Sequence, residues 1–523
     1  MIAELVIFLI TTLLFYYLYV YKKIHYFFRQ KGVKFLPGIP LFGNMYYSFI
    51  TKKHFIEDLD TVYRAFPDEK YVGLAEGTTP IVLIRDPDLI KAITVKDFDH
   101  FINHKEFFDK DLDPLFSGSL FAMKDDRWRD MRVTLSPAFT GSKMRLMMSF
   151  MSEVSHNIVN YLKDNNSDET HVDDLVRRYT LDVIASAGFG LQVNSVKEKE
   201  NEFFKMGIKL FYFNFKQKLV IFITSQCPKL GKALGMKLFP QEVMNFFKGT
   251  INNTMSYRKK NDVVRPDMIQ LLLEATKGTL NIGNAEKDDV GFATTQEVLK
   301  PKTVTSEWTE DEIIGQVFIF FAAGFESSAG AITMCVHELA VNPEVQEKLY
   351  QEIKEFQETN KTLTYENVGQ LKYLDCVVNE TLRKWSPAIF MDRVCSKTYE
   401  LPPPREGGKP YRLNPGDIVY NMVNVIQMDP KYHPKPEVFD PDRFSDDNKH
   451  NIQPFTFTPF GMGPRNCIAS RFALLEMKVF LYDIVLNYKI VKSQRTSDPI
   501  RLHNNDFNIR ALGGTYVKLI SRK

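Results

Sequence analysis

Phe460-Gly461-Met462-Gly463-Pro464-Arg465-Asn466-Cys467-Ile468-Ala469 carries the residue with the greatest chemical reach in this 523-residue chain. The loop leads into an apolar helical stretch, Phe472 to Val485, so Cys467 falls at or just before a helix N-terminus. Free N–H groups and the positive end of the helix dipole favour thiolate over thiol at such a place. Arg465 adds positive charge two residues away and can pair with a carboxylate. Glycines at 461 and 463 admit backbone conformations closed to other residues and let a flat group approach the chain. A thiolate in a glycine-rich loop beside an arginine suits the axial ligand of a haem iron. The plainer alternative is a structural cysteine at a helix start. The chain has five cysteines, an odd total with no C-x-x-C pair. That excludes a disulfide scaffold and a structural zinc module, and it points to reducing surroundings.

Three further groupings have spacing that chemistry can use. Ala323-Gly324-Phe325-Glu326-Ser327-Ser328 lies midway along a helix opened by Thr309 with Glu312, a capping-box pair. Residues Ile313 to Ala323 are apolar almost all round, as in a helix through the centre of a large core. An acid and two hydroxyls beside small residues are unusual there for packing alone, although a packing notch with serine bonded to the preceding turn would also fit. Trp128 and Arg132 stand at i, i+4 and share one helical face, from which both can reach one anionic group. Glu380 and Arg383 stand at i, i+3. The apolar face of their helix (Leu374, Val377, Val378, Thr381 and Trp385) turns away from them, which predicts a solvated surface bridge of small value. No G-x-S-x-G, G-x-x-x-x-G-K-[ST], H-E-x-x-H or G-x-G-x-x-G pattern occurs. That disfavours phosphoryl transfer, zinc hydrolysis and dinucleotide binding by the usual folds.

The elements that must hold these residues are mainly helical. Long apolar periodic stretches cover roughly 140–165, 170–190, 240–275, 309–340, 343–357, 368–385 and 468–487. Alternating segments are sparse, near 71–85, near 410–424 and after 505, so the expected fold is mainly α with minor β in one large domain. The polar, aperiodic run from Lys277 to Trp308 reads as a surface loop. Leu5 to Tyr21 is 17 residues without charge, at the low limit for a membrane span. Glu4 precedes it, and Lys22, Lys23, Arg29, Lys31 and Lys34 follow, which orients the bulk of the chain to the cytosol. No basic n-region or small-residue cleavage site accompanies the run, so it reads as an uncleaved signal anchor and not a removed signal peptide. Phe35-Leu36-Pro37-Gly38-Ile39-Pro40-Leu41-Phe42-Gly43 stiffens the exit. The expected organisation is an anchor at 1–22, a basic and proline-rich hinge at 23–44, and a catalytic domain at 45–523. A formal charge of +3 gives no sign of nucleic-acid binding, while 42 Phe and 23 Tyr suit a large aromatic core or an apolar ligand site.

The cysteine loop fills every fixed position of F-x-x-G-x-R-x-C-x-[AG] and resembles the haem-binding loop of cytochrome P-450 enzymes. Glu380–Arg383 matches the family's E-x-x-R, Pro441-Asp442-Arg443-Phe444 its P-E-R-F-like element, and Trp128–Arg132 its W-x-x-x-R. The resemblance covers essentially the whole chain. Segments such as Leu135-Ser136-Pro137-Ala138-Phe139-Thr140 are similar to insect microsomal members linked to xenobiotic metabolism. It implies the cytochrome P-450 fold, with small sheets around a haem, and a monooxygenase that draws electrons from NADPH. The implied metal ligand is Cys467, whose thiolate favours O–O cleavage. Phe460, Gly461 and Ala469 would shape the cofactor loop, and Trp128, Arg132, Arg393 and Arg465 would hold the propionates. His104 falls where relatives carry an arginine. Glu326 and Ser327 would relay protons in an oxygen-binding groove, although Ser327 stands where most members have threonine. That departure lowers rotamer control and brings a risk of uncoupling to peroxide. The implied Glu380–Arg383 role is structural, locked with Arg443. The pocket is expected from Phe101–Phe121, Phe203–Ile223, Phe318–Phe325, Ala388–Phe390 and the stretch near Leu512. Implied partners are O2, a lipophilic substrate, NADPH-cytochrome P-450 reductase, docking near Lys124, Arg127 and Arg129, and cytochrome b5, at the endoplasmic reticulum membrane. A hormone or lipid hydroxylase shares every motif. A haem-thiolate isomerase or dehydratase and a non-catalytic haem or lipid binder are the remaining alternatives.

Overall fold

The computed structural model describes residues 2–106, 111–165, 168–211, 214–265, 267–276, 290–296, 299 and 307–522. Its centre is the 32-residue helix Glu310–Val341, capped by Thr309, whose Oγ1 accepts from the Glu312 N–H while Glu312 reaches back to the Thr309 N–H. Twenty-one of its residues are buried, from Ile314 to Ala340, because other helices surround it. Val172–Ile184, Lys372–Lys384 and Ser470–Asn487 pack against it, and Gly141–Asp164 packs on Val172–Ile184 and Ser470–Asn487. The helix Ser470–Asn487 carries the cysteine loop at its N-terminal end and is itself buried almost all round. The stretch 240–275, read from sequence as one helix, is two, Gln241–Asn261 and Met268–Thr276. The chain turns left-handed at Asp262, with φ of 51°.

A four-stranded sheet has the order Tyr71–Glu76, Thr79–Ile84, Ile418–Asn421, Met391–Val394. Thr79–Ile84 runs parallel to Ile418–Asn421, and the other pairings are antiparallel. Val419 is paired with Arg393 and Tyr420 with Asp392, so this sheet fixes where the Arg393 side chain leaves the backbone. Tyr488–Lys492 and Tyr516–Ser521 form a second sheet with Thr170–His171.

The apolar helix Ile2–Tyr21 exposes nearly all its side chains, then continues as helical turns through Gln30. There Ile24 and Phe28 are buried, with the Phe28 ring against the Gly73 backbone. A Cβ at Gly73 would lie 2.8 Å from that ring. Most of the polar run 277–308 lies outside the described residues. Within the described part, 290–296 is not a free surface loop, since Val290 and Ala293 are buried.

The Glu380–Arg383 pair corrects the surface reading. Both side chains are fully buried. Arg383 donates to Glu380 through Nε at 2.7 Å and Nη2 at 2.8 Å, and Arg443 Nε lies 3.5 Å from the same carboxylate. Residues 376–383 are buried on every side of their helix, so its apolar stripe did not mark the boundary with solvent.

Candidate active site

A cavity of about 610 Å³ lies between the helix Glu310–Val341 and the cysteine loop, with Cys467, Phe460 and Ala469 in its wall opposite Ala323, Gly324 and Ser327. The loop closes on itself through the Cys467 N–H, which donates to the Phe460 carbonyl at 2.7 Å. Gly461 and Gly463 have φ of 74° and 73°. A Cβ at Gly463 would fall 1.9 Å from the Thr94 carbonyl oxygen, so no side chain fits there. The regular helix begins at Ser470, three residues beyond the cysteine. Burial pushes the Cys467 thiol up, against the Ala469 N–H and Arg132, which pull it down.

Four basic or aromatic groups expected around the propionates all line this cavity. Trp128 and Arg132 project from the helix Asp125–Leu135. Arg132 donates to the Asn466 carbonyl at 2.8 Å and to its Oδ1 at 2.6 Å. The Arg465 guanidinium lies 4.1 Å from the centre of the Trp128 ring and donates to the carbonyls of Ile102, Leu120 and Met123. Arg393 is buried; its Nη1 donates to the Asp392 carbonyl, while Nε and Nη2 have no hydrogen-bond partner among the described residues. His104 also lines the cavity, held by Asp392 at 2.9 Å and stacked on Phe121. Burial lowers the Arg465 guanidinium well below its usual range, and Arg393 and Arg132 push the same way. Three buried cations that repel one another, one with two unanswered N–H groups, call for anionic charge in the cavity. The carboxylates of a haem supply that charge, while Gly461 and Gly463 are outside the cavity wall and a Cβ on them would meet Met391 and Thr94. The residues present fit the group.

On the opposite wall, Ser327 Oγ donates to the Ala323 carbonyl at 2.5 Å. Glu326 is buried, with Arg177 Nε 3.3 Å from Oε1 and Arg510 on Oε2. Burial raises the Glu326 carboxyl to about 7, chiefly against the pull of Arg177. Neither arginine carried a sequence signal, because each comes from a distant element, the helix Val172–Ile184 and the C-terminal loop. Asn466 and Asp392 were also passed over, although each adjoins a singled-out residue.

The expected pocket stretches contribute in part. Phe121, Phe211, Ile319, Ala322, Ala388 and Phe390 line the cavity, whereas Phe101, Phe318 and Phe325 are fully buried core residues outside its wall. Leu512 is half exposed, and Asn508 lines the cavity in its place. Lys124, Arg127 and Arg129 are already paired, with Glu106, Glu312 and Asp99.

A cytochrome P-450 family model matches residues 33–516. Probable cytochrome P-450 9f2 of Drosophila melanogaster is 41% identical over 511 residues, covering 95% of each chain. Cytochrome P-450 9e2 of Blattella germanica is 38% identical over 516 residues, 95% of this chain and 94% of the relative. Cytochrome P-450 6j1 of the same organism is 31% identical over 506 residues. With the glycine-rich cysteine loop, the basic cluster and the facing hydroxyl in one cavity, this chain belongs to the cytochrome P-450 family of haem-binding monooxygenases.

Proposed function

We propose that the chain inserts one oxygen atom from O2 into a lipophilic xenobiotic, such as an insecticide or plant toxin. Electrons come from NADPH through its reductase, with cytochrome b5 as an auxiliary donor. The observation that carries this reading is the placement of Cys467 and the Ala323–Ser327 groove on facing walls of one apolar cavity. Haem, when bound, supplies the activation of O2. Cys467 would hold its iron, on a loop whose backbone is closed by the bond from the Cys467 N–H to the Phe460 carbonyl. Arg132, Arg393 and Arg465, with Trp128, orient and neutralise the propionates, and His104 adds a donor beside Arg393. Glu326 and Ser327 move protons on the groove side: Ser327 offers its hydroxyl at the cavity, and Glu326, near 7, exchanges protons at working pH. Phe121, Phe211, Phe320 and Phe390 exclude water and seat an apolar substrate.

Residues 1–22 act as the anchor in the endoplasmic reticulum membrane, 23–44 connect, and 45–523 form the catalytic domain on the cytosolic side. The basic residues that follow the apolar helix support that orientation. The test is the carbon monoxide difference spectrum of the reduced membrane protein beside Cys467→His, followed by substrate screening with NADPH and reductase. A strongly red-shifted Soret band that the variant loses, and product formed only with NADPH and reductase, is the expected result. Turnover of a peroxide substrate without either would make the protein an isomerase or dehydratase. A haem-replete protein without the band would remove Cys467 as ligand.

A further inference from the structure

The segment Val290–Gln296 reaches across the molecule to the backbone of the cysteine loop. Thr295 Oγ1 donates to the Cys467 carbonyl at 3.0 Å and lies 2.8 Å from Ser470 Oγ, while the Thr295 N–H donates to Ser470 Oγ at 3.2 Å. Asn466 Nδ2 donates to the Gln296 carbonyl at 2.9 Å. Asn466 is also the residue that receives Arg132. The three residues around the sulfur, 466, 467 and 470, are thus all bonded to this strap.

Its other end is pinned as firmly. Lys478, from the helix that follows the cysteine, donates to the Val290 carbonyl at 2.5 Å and pairs with Asp375 at 2.7 Å. Asp375 Oδ2 accepts the Phe292 N–H at 3.0 Å. Gly291 has φ of 155°, and a Cβ there would fall 2.1 Å from Asp375 Oδ1. The Phe292 ring stacks on Phe457, with centroids 5.9 Å apart, and meets Phe444 edge-on. The strap therefore joins the Glu380 helix, the Arg443 element and the cysteine helix to the Cys467 peptide.

We propose that Val290–Gln296 is a clasp that positions the haem ligand, with Thr295 as its positioning residue. It acts by holding the Cys467 carbonyl, the Phe460 carbonyl holding the Cys467 N–H. The Cys467 N–H is bound to Phe460 and its carbonyl to Thr295, so both peptide groups of the ligand residue are fixed. With Thr295 removed, the carbonyl is free to turn, and the sulfur loses its set direction. Outer groups that orient a metal ligand commonly contribute tenfold or more to metal retention. The inference rests on Cys467 being the axial ligand.

The test uses the full-length holoenzyme as parent, Thr295→Val, Thr295→Ser and Gly291→Ala. The long-wavelength band of the reduced carbonyl complex is followed in guanidinium below the unfolding transition, with far-UV circular dichroism alongside. Thr295→Val is expected to lose the band on the order of tenfold faster with unchanged helix content, and Thr295→Ser to stay within about twofold of the parent. Gly291→Ala, which lifts the far end of the strap and keeps Thr295, is expected to lose it faster as well. A Thr295→Val or Gly291→Ala half-life equal to the parent's overturns the clasp, as does band loss that only follows helix loss. A parent without the band overturns the Cys467 reading itself, and the clasp with it.

Discussion

Ser327 is held by one bond, to the Ala323 carbonyl, and lacks the β-methyl that restricts a threonine to fewer rotamers. Ser327→Thr should raise the share of time the hydroxyl points along its working direction. Roughly 0.5 kcal/mol of rotamer preference corresponds to about twofold less peroxide per NADPH consumed. The check is paired measurement of NADPH, product and peroxide; equal yields in both enzymes would show that serine's freedom does not limit coupling. Glu476 poses a different residue-scale question. It is fully buried on the cysteine helix, neither carboxylate oxygen has a hydrogen-bond partner among the described residues, and burial raises it to about 8, with Ser328 opposing. In the unfolded chain the carboxyl ionises near 4.5. Below that pH both states hold the proton and there is no penalty. Between 4.5 and 8 the unfolded chain releases it and the folded one keeps it, so stability falls as pH rises, by on the order of 5 kcal/mol in total. Glu476→Gln removes that loss. Denaturation midpoints at pH 5 and pH 8 should fall more steeply in the parent than in the variant, and parallel slopes would refute the assignment.

Between elements, the ion cluster of Glu380, Arg383 and Arg443 ties the helix Lys372–Lys384 to the turn Pro441–Phe444. The Asp440 N–H donates to Glu380 Oε1 at 2.9 Å, and Arg383 donates to the carbonyls of Gln427 and Pro436. Glu380→Gln leaves two guanidinium groups without their counter-charge, one of them fully buried, at a cost of about 3–5 kcal/mol. A denaturation midpoint within error of the parent would mean that the carbonyls alone satisfy the arginines. The same helix shows what the sequence could and could not tell. Helix existence was legible, because the apolar repeats at roughly 140–165, 309–340 and 468–487 are long, and a capping box opens the second. Exposure was not: a helix inside a large domain has no solvent face, so a stripe such as Leu374, Val377 and Val378 does not say where its charged residues point. The cysteine loop was legible because its glycines and arginine are local. Arg177, Arg510 and Thr295 reach the site across more than a hundred residues of chain, and no local spacing encodes such meetings. The break at Asp262 was missed since apolar periodicity resumes at Met268 in the same register of composition.

At the scale of the whole molecule, two apolar surfaces among the described residues face outward. One is the helix Ile2–Tyr21, whose large side chains are exposed until Val20, Ile24 and Phe28 enter the core. The other is built by Tyr46–Phe49, Phe215–Gln226 and Pro228–Ala233. There Tyr47, Phe215, Leu219, Leu230 and Leu234 are exposed, while Phe49 packs between Phe215 and Phe222 and so joins the first two elements. Since helical turns lead from the apolar helix directly to the buried Phe28, a membrane that holds the helix also fixes how the globule meets its surface, and the second patch is the apolar ground available for that contact. Full burial of a Phe or Leu side chain contributes about 1.5–3 kcal/mol. A chain lacking residues 1–21 should therefore still float with neutral lipid vesicles, and raising salt should not release it, because screening weakens charge attraction and leaves apolar burial intact. Adding Phe215→Asp and Leu234→Asp to that truncated chain removes two such contacts and should lower the bound fraction by at least about tenfold at equal lipid. A truncated chain that stays in solution from the outset would confine attachment to the apolar helix.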